Sequence, residues 1–181
     1  MSRYAAFLRG INVGGNHRVK SPELRSVFED MGLGDVQTFR ASGNVIFVAP
    51  SEPPQELSAR IEAALQRSLG YEVETFLRTA EEVRAITRMQ PFTPVQVEAS
   101  AGKLQVGMLS ERPGSKARRG ALALASDHDR LALGERELFW LPSGGISESA
   151  LDLKLIAKAL GSMTLRTKGT VEQIAERHFS D

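Results

Sequence analysis

The sequence predicts an α+β protein made of two tandem ferredoxin-like (βαββαβ) units with antiparallel sheets and a C-terminal helix. Hydrophobic periodicity gives the order strand, helix, strand, strand, helix, strand twice along the chain. The 181 residues are 41% hydrophobic and 25% charged, which is typical of a globular protein. No apolar run reaches the roughly 20 residues that a membrane span requires. These observations exclude membrane-spanning and disordered classes.

The first predicted unit covers residues 1–79. Four short runs rich in apolar and β-branched residues predict its strands, at residues 4–9, 36–40, 45–48 and 71–77. Two stretches with apolar residues at helical spacing predict its helices. Ser21 is the expected N-cap of the first helix, with Pro22 at the first helical position. Gly70 is expected to end the second helix.

Residues 80–102 are predicted to connect the units, and residues 103–181 to form the second unit with a terminal helix. The capping-box pattern at Thr79 and Glu82 predicts a short helix, and residues 90–102, with two prolines, are interpreted as a linker. The elements expected after the linker are strands at 103–109, 130–133, 137–141 and 163–166 and helices at 116–125, 149–160 and from Thr170 onward. Element order repeats between the units, whereas no repeat of residues is evident.

The topology bears on where a site can form. We expect the first and third strands of such a unit to run parallel. The loop that leaves the first strand and the hairpin that enters the third would then lie at opposite ends of the sheet. One compact site would require the long loop to fold back, or the second unit to close over it.

Charge is distributed unevenly, although the net charge is only +1. Residues 1–22 and 112–126 each carry four basic and no acidic residues, whereas residues 23–111 carry eight basic and thirteen acidic ones. Such segments can attract anions, or they can be ordinary solvated surface. The chain has no cysteine, which excludes disulfides and thiol catalysis. The first residues lack the apolar core of a secretory signal, so a cytoplasmic location is expected.

The most informative segment is the connection from Arg9 to Ser21. It contains three glycines, two asparagines, one histidine and three cations between a strand and a helix. Glycines allow backbone N–H groups to approach an anion, and Arg and Lys supply charge. The loop is not a Walker loop, because Val19 precedes Lys20 where a Walker loop has glycine. It is not a dinucleotide fingerprint either, because its glycines do not have the Gly-x-Gly-x-x-Gly spacing. The alternative is a loop whose glycines only form turns.

Other polar segments carry weaker signals. Ser42 and Asn44 at the hairpin could contact a ligand, although tight turns favour Gly and Asn in any case. The basic stretches 112–119 and 166–168 lack the aromatic residues that nucleic-acid binders use for stacking. Residues 127–129, Asp-His-Asp, are interpreted as a polar loop and not as a metal site, and residues 142–145 as a turn. No metal and no cofactor are expected.

Three motifs resemble a bacterial family known as domain of unknown function 1697. They are the run Leu8 to Gly15 (LRGINVGG), with Asn16 and Lys20 after it, the run Ser42 to Val45 (SGNV), and Arg166 followed by Thr170 and Val171. The resemblance implies a cytoplasmic bacterial α+β protein and carries no assigned activity.

These observations predict a protein that binds a phosphate-bearing ligand, a nucleotide or a nucleic acid through the basic loop 9–21. The expected ligand-binding residues are Arg9, Asn12, Gly14, Gly15, Asn16, Lys20, Ser42, Asn44 and Arg166. The alternative is a structural or protein-interaction module that associates through sheet edges, for instance as a homodimer, with no small ligand. Catalysis is left open, because His17 is the only histidine near the loop and no nucleophile is evident.

Overall fold

A computed structural model describes residues 1–12, 15 and 18–180 of the chain. This part of the chain is an α+β protein with two four-stranded antiparallel sheets. It divides into two compact units, of which the first is Met1–Val83 with His178–Asp181 and the second is Arg84–Arg177. The last turn of the chain therefore belongs to the same unit as its beginning.

The first unit contains the predicted order of strands and helices, with boundaries that differ by a few residues. Its elements are β1 (Ser2–Arg9), α1 (Ser21–Asp30), β2 (Gly34–Thr38), β3 (Asn44–Ala49), α2 (Pro54–Leu69) and β4 (Glu74–Thr79), followed by α3 (Ala80–Arg88). Gly70 ends α2 in the left-handed conformation, as expected. Ser21 is not the N-cap: it is the first helical residue of α1, and Lys20 precedes it without a side-chain cap.

The first sheet has the strand order β2-β3-β1-β4. β1 and β3 are antiparallel, with Phe7 opposite Asn44, so the expectation that they run parallel is wrong. The reason is that α1 returns the chain so that β2 points the same way as β1, and the hairpin then reverses β3. The loop after β1 and the β2–β3 hairpin consequently lie at the same end of the sheet.

One face of this sheet packs against α1 and α2. The helices contribute apolar residues at helical spacing, and β1 and β3 contribute alternate residues, which is the pattern that buries one face of each element. Phe28 of α1 and Phe47 of β3 are fully buried and their rings lie 5.4 Å apart. Tyr4 stacks on Phe47 from the neighbouring strand, at 5.7 Å. This core holds the ends of β1 and β3 in fixed positions.

The second unit, which starts at Arg84 within α3, includes a helix in the segment that is expected to be a linker. Its elements are α4 (Pro94–Ala99), β5 (Gln105–Leu109), α5 (Ser115–Leu122), β6 (Asp129–Leu133), β7 (Glu137–Pro142), a short 3₁₀ helix (Ile146–Glu148), α6 (Leu153–Leu160), β8 (Met163–Thr167) and α7 (Lys168–His178). Thr93 and Gln96 form a capping box that starts α4 within the supposed linker. The strand order β6-β7-β5-β8 repeats that of the first sheet.

Two predicted helices of the second unit begin elsewhere than expected. The segment 149–160 is helical only from Leu153, because the carboxylate of Asp152 accepts hydrogen bonds from the N–H groups of Lys154 and Leu155 and caps α6. The terminal helix begins at Lys168, two residues before the expected Thr170. The hydroxyl of Thr167 accepts a hydrogen bond from the Thr170 N–H at 3.2 Å and takes the role of the cap.

A short repeat of residues accompanies the repeat of element order, which corrects the sequence-based view. The triplet Leu-Arg-Thr ends β4 at residues 77–79 and ends β8 at residues 165–167, and a helix follows each. In both, Nη1 of the arginine donates to the carbonyl of the preceding leucine at 2.8 Å. In both, the threonine hydroxyl accepts from an N–H three residues later at 3.2 Å. The two units therefore share local structure as well as topology.

Candidate anion-binding site

Asn12 ties the long loop to the hairpin at the end of the first sheet. Its Oδ1 accepts a hydrogen bond from the Val19 N–H at 2.8 Å, which joins the two ends of the loop. Its Nδ2 donates to the carbonyl of Ala41 in the hairpin, at 2.6 Å, and also lies 3.3 Å from the Val19 carbonyl. Ile11 and Val19 on either side are buried. The loop is thus anchored at both ends, and Asn12 shapes it.

A close backbone approach fixes the hairpin against β1. The N–H of Leu8 donates to the carbonyl of Gly43 at 2.8 Å. Gly43 has φ +76°, and a Cβ at this position would lie 3.1 Å from Cβ of Leu8. Nδ2 of buried Asn44 donates to the Phe39 carbonyl at 2.8 Å and to Ser42 Oγ at 2.9 Å, which closes the turn. Only glycine satisfies both the conformation and the space at position 43.

Left-handed backbone is concentrated at this end of the sheet. Gly10, Asn12 and Gly15 in the loop have φ of +86°, +57° and +80°. In the hairpin, Arg40 has φ +58° besides Gly43. Arginine in this region costs about 1 kcal/mol or more, and such strain is concentrated at functional positions in proteins.

Four cations surround these turns. Arg18 and Lys20 are exposed, and their side chains make no hydrogen bond or ion pair with any residue that the structure describes. Arg9 is half exposed and its Nη1 lies 2.7 Å from Oε2 of Glu74 on β4. Arg40 is exposed and places its guanidinium 5.5 Å from the centre of the Phe39 ring. Arg18 and Lys20 therefore provide charge that no described acid neutralises.

Among the described residues, those of the predicted site that lie at this end are Arg9, Asn12, Gly15, Lys20, Ser42 and Asn44. Gly14 and Asn16, together with His17, lie outside the described residues. Gly15 is exposed, with no neighbouring atom where its Cβ would be. The amides of Asn12 and Asn44 hold the loop and the turn through the hydrogen bonds given above, and the ligand contacts expected of them stay a prediction.

Arg166 belongs to the second unit and lies on β8. It is 8% exposed, and its Nη1 donates to Thr164 Oγ1 and to the Leu165 carbonyl, each at 2.8 Å. Burial lowers the pKa of its guanidinium to about 10. These contacts tie the Arg166 guanidinium to neighbouring residues of β8.

Two cations of this end are not among the ligand-binding residues predicted from sequence. Arg18 is one of the three cations of the basic loop, and Arg40 is predicted only as the end of a strand. Arg40 directly precedes the turn, and this position indicates a site residue once the hairpin and the loop are known to meet. Arg18 lies between Asn12 and Val19, which anchor the two ends of the loop, and this position indicates a site residue in the same way.

Within the part of the chain that the structure describes, no group of His, Asp and Glu side chains could hold a metal ion. Among the same residues, no helix has both the length and the apolar character to cross a membrane.

The fold and the loop define a class of α+β proteins with two sheets of identical strand order and a basic loop and hairpin at one end of the first sheet. The chain belongs to the family described as protein of unknown function (DUF1697), whose family model matches residues 1–139. This match confirms the predicted resemblance. It covers the loop and the hairpin and ends within β7, before Arg166.

A solved structure of similar fold is described as a conserved bacterial protein from Streptococcus pneumoniae. It is 22% identical to this chain, with a TM-score of 0.72 over 97% of each chain. At this identity the similarity concerns the fold alone. No curated protein matches the chain.

Proposed function

We propose that this protein binds a phosphate group of a nucleotide or nucleic acid at the loop–hairpin site, defined as Arg9–Ser21 with Arg40–Asn44. The observation that carries the proposal is the pair of exposed cations, Arg18 and Lys20, without a partner among the described residues on a loop that Asn12 fixes in place. Arg and Lys side chains that are held in position are the usual partners of phosphate oxygens.

Each group at the site has a proposed role. Arg18 and Lys20 pair with phosphate oxygens directly. Arg40 and Arg9 extend the positive field, although Glu74 offsets much of the charge of Arg9. The backbone N–H of Gly15, whose φ is +80°, donates to the same anion. Arg166 stays a predicted ligand contact.

Two finer sequence-based predictions belong to this proposal. Each unit is assigned to the ferredoxin-like fold, which the shared strand order and the βαββαβ order support. A cytoplasmic location, where nucleotides are abundant, is part of the same proposal.

The test compares two double variants that remove the same charge. Arg18→Ala with Lys20→Ala alters the loop–hairpin site, and Lys116→Ala with Arg119→Ala removes two exposed cations from α5 as a matched control. Calorimetric titrations use pyrophosphate, ATP and a 5′-phosphorylated single-stranded oligonucleotide, with adenosine as the ligand without phosphate. We expect binding by wild type and control and a loss of about tenfold or more in the loop variant.

Two results would overturn the proposal. One is that none of the three phosphate compounds binds to wild type. The other is that the α5 variant loses as much affinity as the loop variant. If instead stability depends on protein concentration and not on phosphate, the chain acts as an association module through its sheet edges.

A further inference from the structure

A surface cavity with both polar and apolar lining lies within the second unit, remote in sequence from the loop–hairpin site. The loop before β6 and the segment after β7 line a volume of about 330 Å³. Its polar lining residues are Ser126, His128, Asp129, Ser143, Glu148 and Ser149. The size is at the lower limit for ligand sites and suits a small molecule. From residue patterns alone, these segments are predicted to be an ordinary polar loop and a turn.

Only one of the two oxygens of the buried Asp129 carboxylate accepts hydrogen bonds from described residues. Asp129 is only 3% exposed, and its Oδ1 accepts hydrogen bonds from Nε1 of Trp140 at 2.8 Å and from Oγ of Ser149 at 2.6 Å. No described residue donates a hydrogen bond to Oδ2, and this oxygen is not fully shielded from solvent. Oδ2 is therefore accessible, and Asp129 is one of the residues that line the cavity. Two donors already accompany the carboxylate through Oδ1, which leaves Oδ2 as an acceptor for a ligand.

The cavity has a negative character. Glu148 supplies a second carboxylate, which lies close to the glycine turn: a Cβ on Gly144 would be 3.3 Å from Oε2 of Glu148. Among the described residues that line the cavity there is no lysine or arginine. His128 is the one basic side chain among these lining residues, so the two carboxylates leave the lining acidic and attract a positively charged ligand.

We propose that this cavity binds the primary ammonium group of a small aliphatic amine. An ammonium is a compact charge with three donors, which suits single oxygens of Asp129 and Glu148 and a hydroxyl such as that of Ser143. A guanidinium prefers both oxygens of one carboxylate in a planar arrangement. Oδ1 of Asp129 already accepts two hydrogen bonds, so that arrangement is obstructed.

Trp140 gives a direct readout, because it is the only tryptophan of the chain and its indole N–H donates to Asp129. The experiment follows the indole ¹H–¹⁵N resonance of the full chain during titration with n-butylamine, n-butylguanidine and n-butanol at constant ionic strength. We expect a saturable shift with butylamine, weaker binding of butylguanidine by about tenfold, and no shift with butanol.

Variants assign the effect to the carboxylates. Asp129→Asn keeps an oxygen for Trp140 and Ser149, so the fold should persist, and Glu148→Gln alters an exposed side chain. Each should weaken butylamine binding about tenfold. Glu111→Gln removes an exposed acid away from the cavity and should leave binding unchanged.

The proposal fails if butylamine produces no saturable shift in wild type, or if Glu111→Gln weakens binding as much as the cavity variants do. It also fails if calcium chloride displaces butylamine at a concentration below the one at which butylamine half-saturates the cavity. The cavity would then be a metal-cation site. Equal affinity for butylguanidine would contradict the choice of ammonium.

Discussion

Asn12 is the residue on which the loop–hairpin site depends most. The side-chain amide joins the two ends of the loop and the hairpin, while the backbone occupies the left-handed region at φ +57°. Asparagine is one of the few residues that tolerate this conformation and also offer both a donor and an acceptor.

Replacing Asn12 should separate these two contributions. Asn12→Ala removes the hydrogen bonds and adds backbone strain, so we expect the free energy of unfolding to fall by about 2 to 3 kcal/mol. Asn12→Gly removes only the amide and should be less destabilising by about 1 kcal/mol. Urea denaturation measures both. A loss for Asn12→Ala within about 0.5 kcal/mol of zero, the range of ordinary surface substitutions, would show that Asn12 does not hold the loop.

Replacing Thr75 on β4 by valine should stabilise the protein, in contrast to the Asn12 substitutions. Its buried Oγ1 has no hydrogen-bond partner among the described residues, whereas its backbone N–H donates to Oε1 of Glu62 at 2.8 Å. Valine has nearly the same shape and no hydroxyl. Thr75→Val should raise the free energy of unfolding by about 1 kcal/mol, while Thr75→Ser, which keeps the hydroxyl and loses a methyl group, should lower it. Destabilisation by Thr75→Val would indicate a partner for the hydroxyl.

At the scale of elements, the β2–β3 hairpin and β1 are joined through Gly43. Gly43→Ala introduces a Cβ at 3.1 Å from Leu8 in a conformation of positive φ, and should lower the free energy of unfolding by about 1 to 3 kcal/mol. Gly120→Ala is the control: it lies in α5 with open space around the new Cβ, and should stabilise by about 0.5 to 1 kcal/mol. Thermal unfolding of both variants shows the sign. Equal effects would contradict the close approach at Gly43.

Most elements were predictable from the sequence, and their ends and directions were less so. Hydrophobic periodicity identified α1 and α2 because each buries one face against the sheet. Helix α4 was missed because it is short and has no fully buried residue, although the pattern Thr93 to Gln96 was a visible capping signal. The start of α7 was misplaced because Thr167 and Thr170 are both capable caps, and tertiary position selects Thr167.

The site was predicted in its main segment and misjudged in its geometry. The basic glycine-rich loop is evident from residue types alone. Whether the loop meets the hairpin depends on the relative direction of β1 and β3, which residue patterns do not specify. The prediction that these strands run parallel placed the hairpin, and Arg40 with it, at the other end of the sheet. The hydrogen bonds of the Asp129 carboxylate could not be predicted from the sequence either, because the donors Trp140 and Ser149 come from β7 and from the residue after the 3₁₀ helix.

For the whole molecule, the net charge of +1 gives little general attraction for anions. Binding of a phosphorylated ligand must therefore arise from the local cations. For a single-stranded oligonucleotide, each phosphate contact contributes about 0.7 to the slope of log affinity against log salt. Removing Arg18 and Lys20 together should reduce that slope by about 1.4. Fluorescence anisotropy over a range of salt concentrations measures it, and an unchanged slope would place the contacts elsewhere.

The most direct measurement for the loop–hairpin site is amide chemical-shift mapping with pyrophosphate in the full-length chain, with sodium chloride of equal ionic strength as the reference. The account predicts saturable shifts for amides of Gly10–Ser21 and Arg40–Asn44, while the indole resonance of Trp140 in the second unit stays in place. Shifts confined to the basic residues of α5, or no saturable shift at any amide, would contradict it.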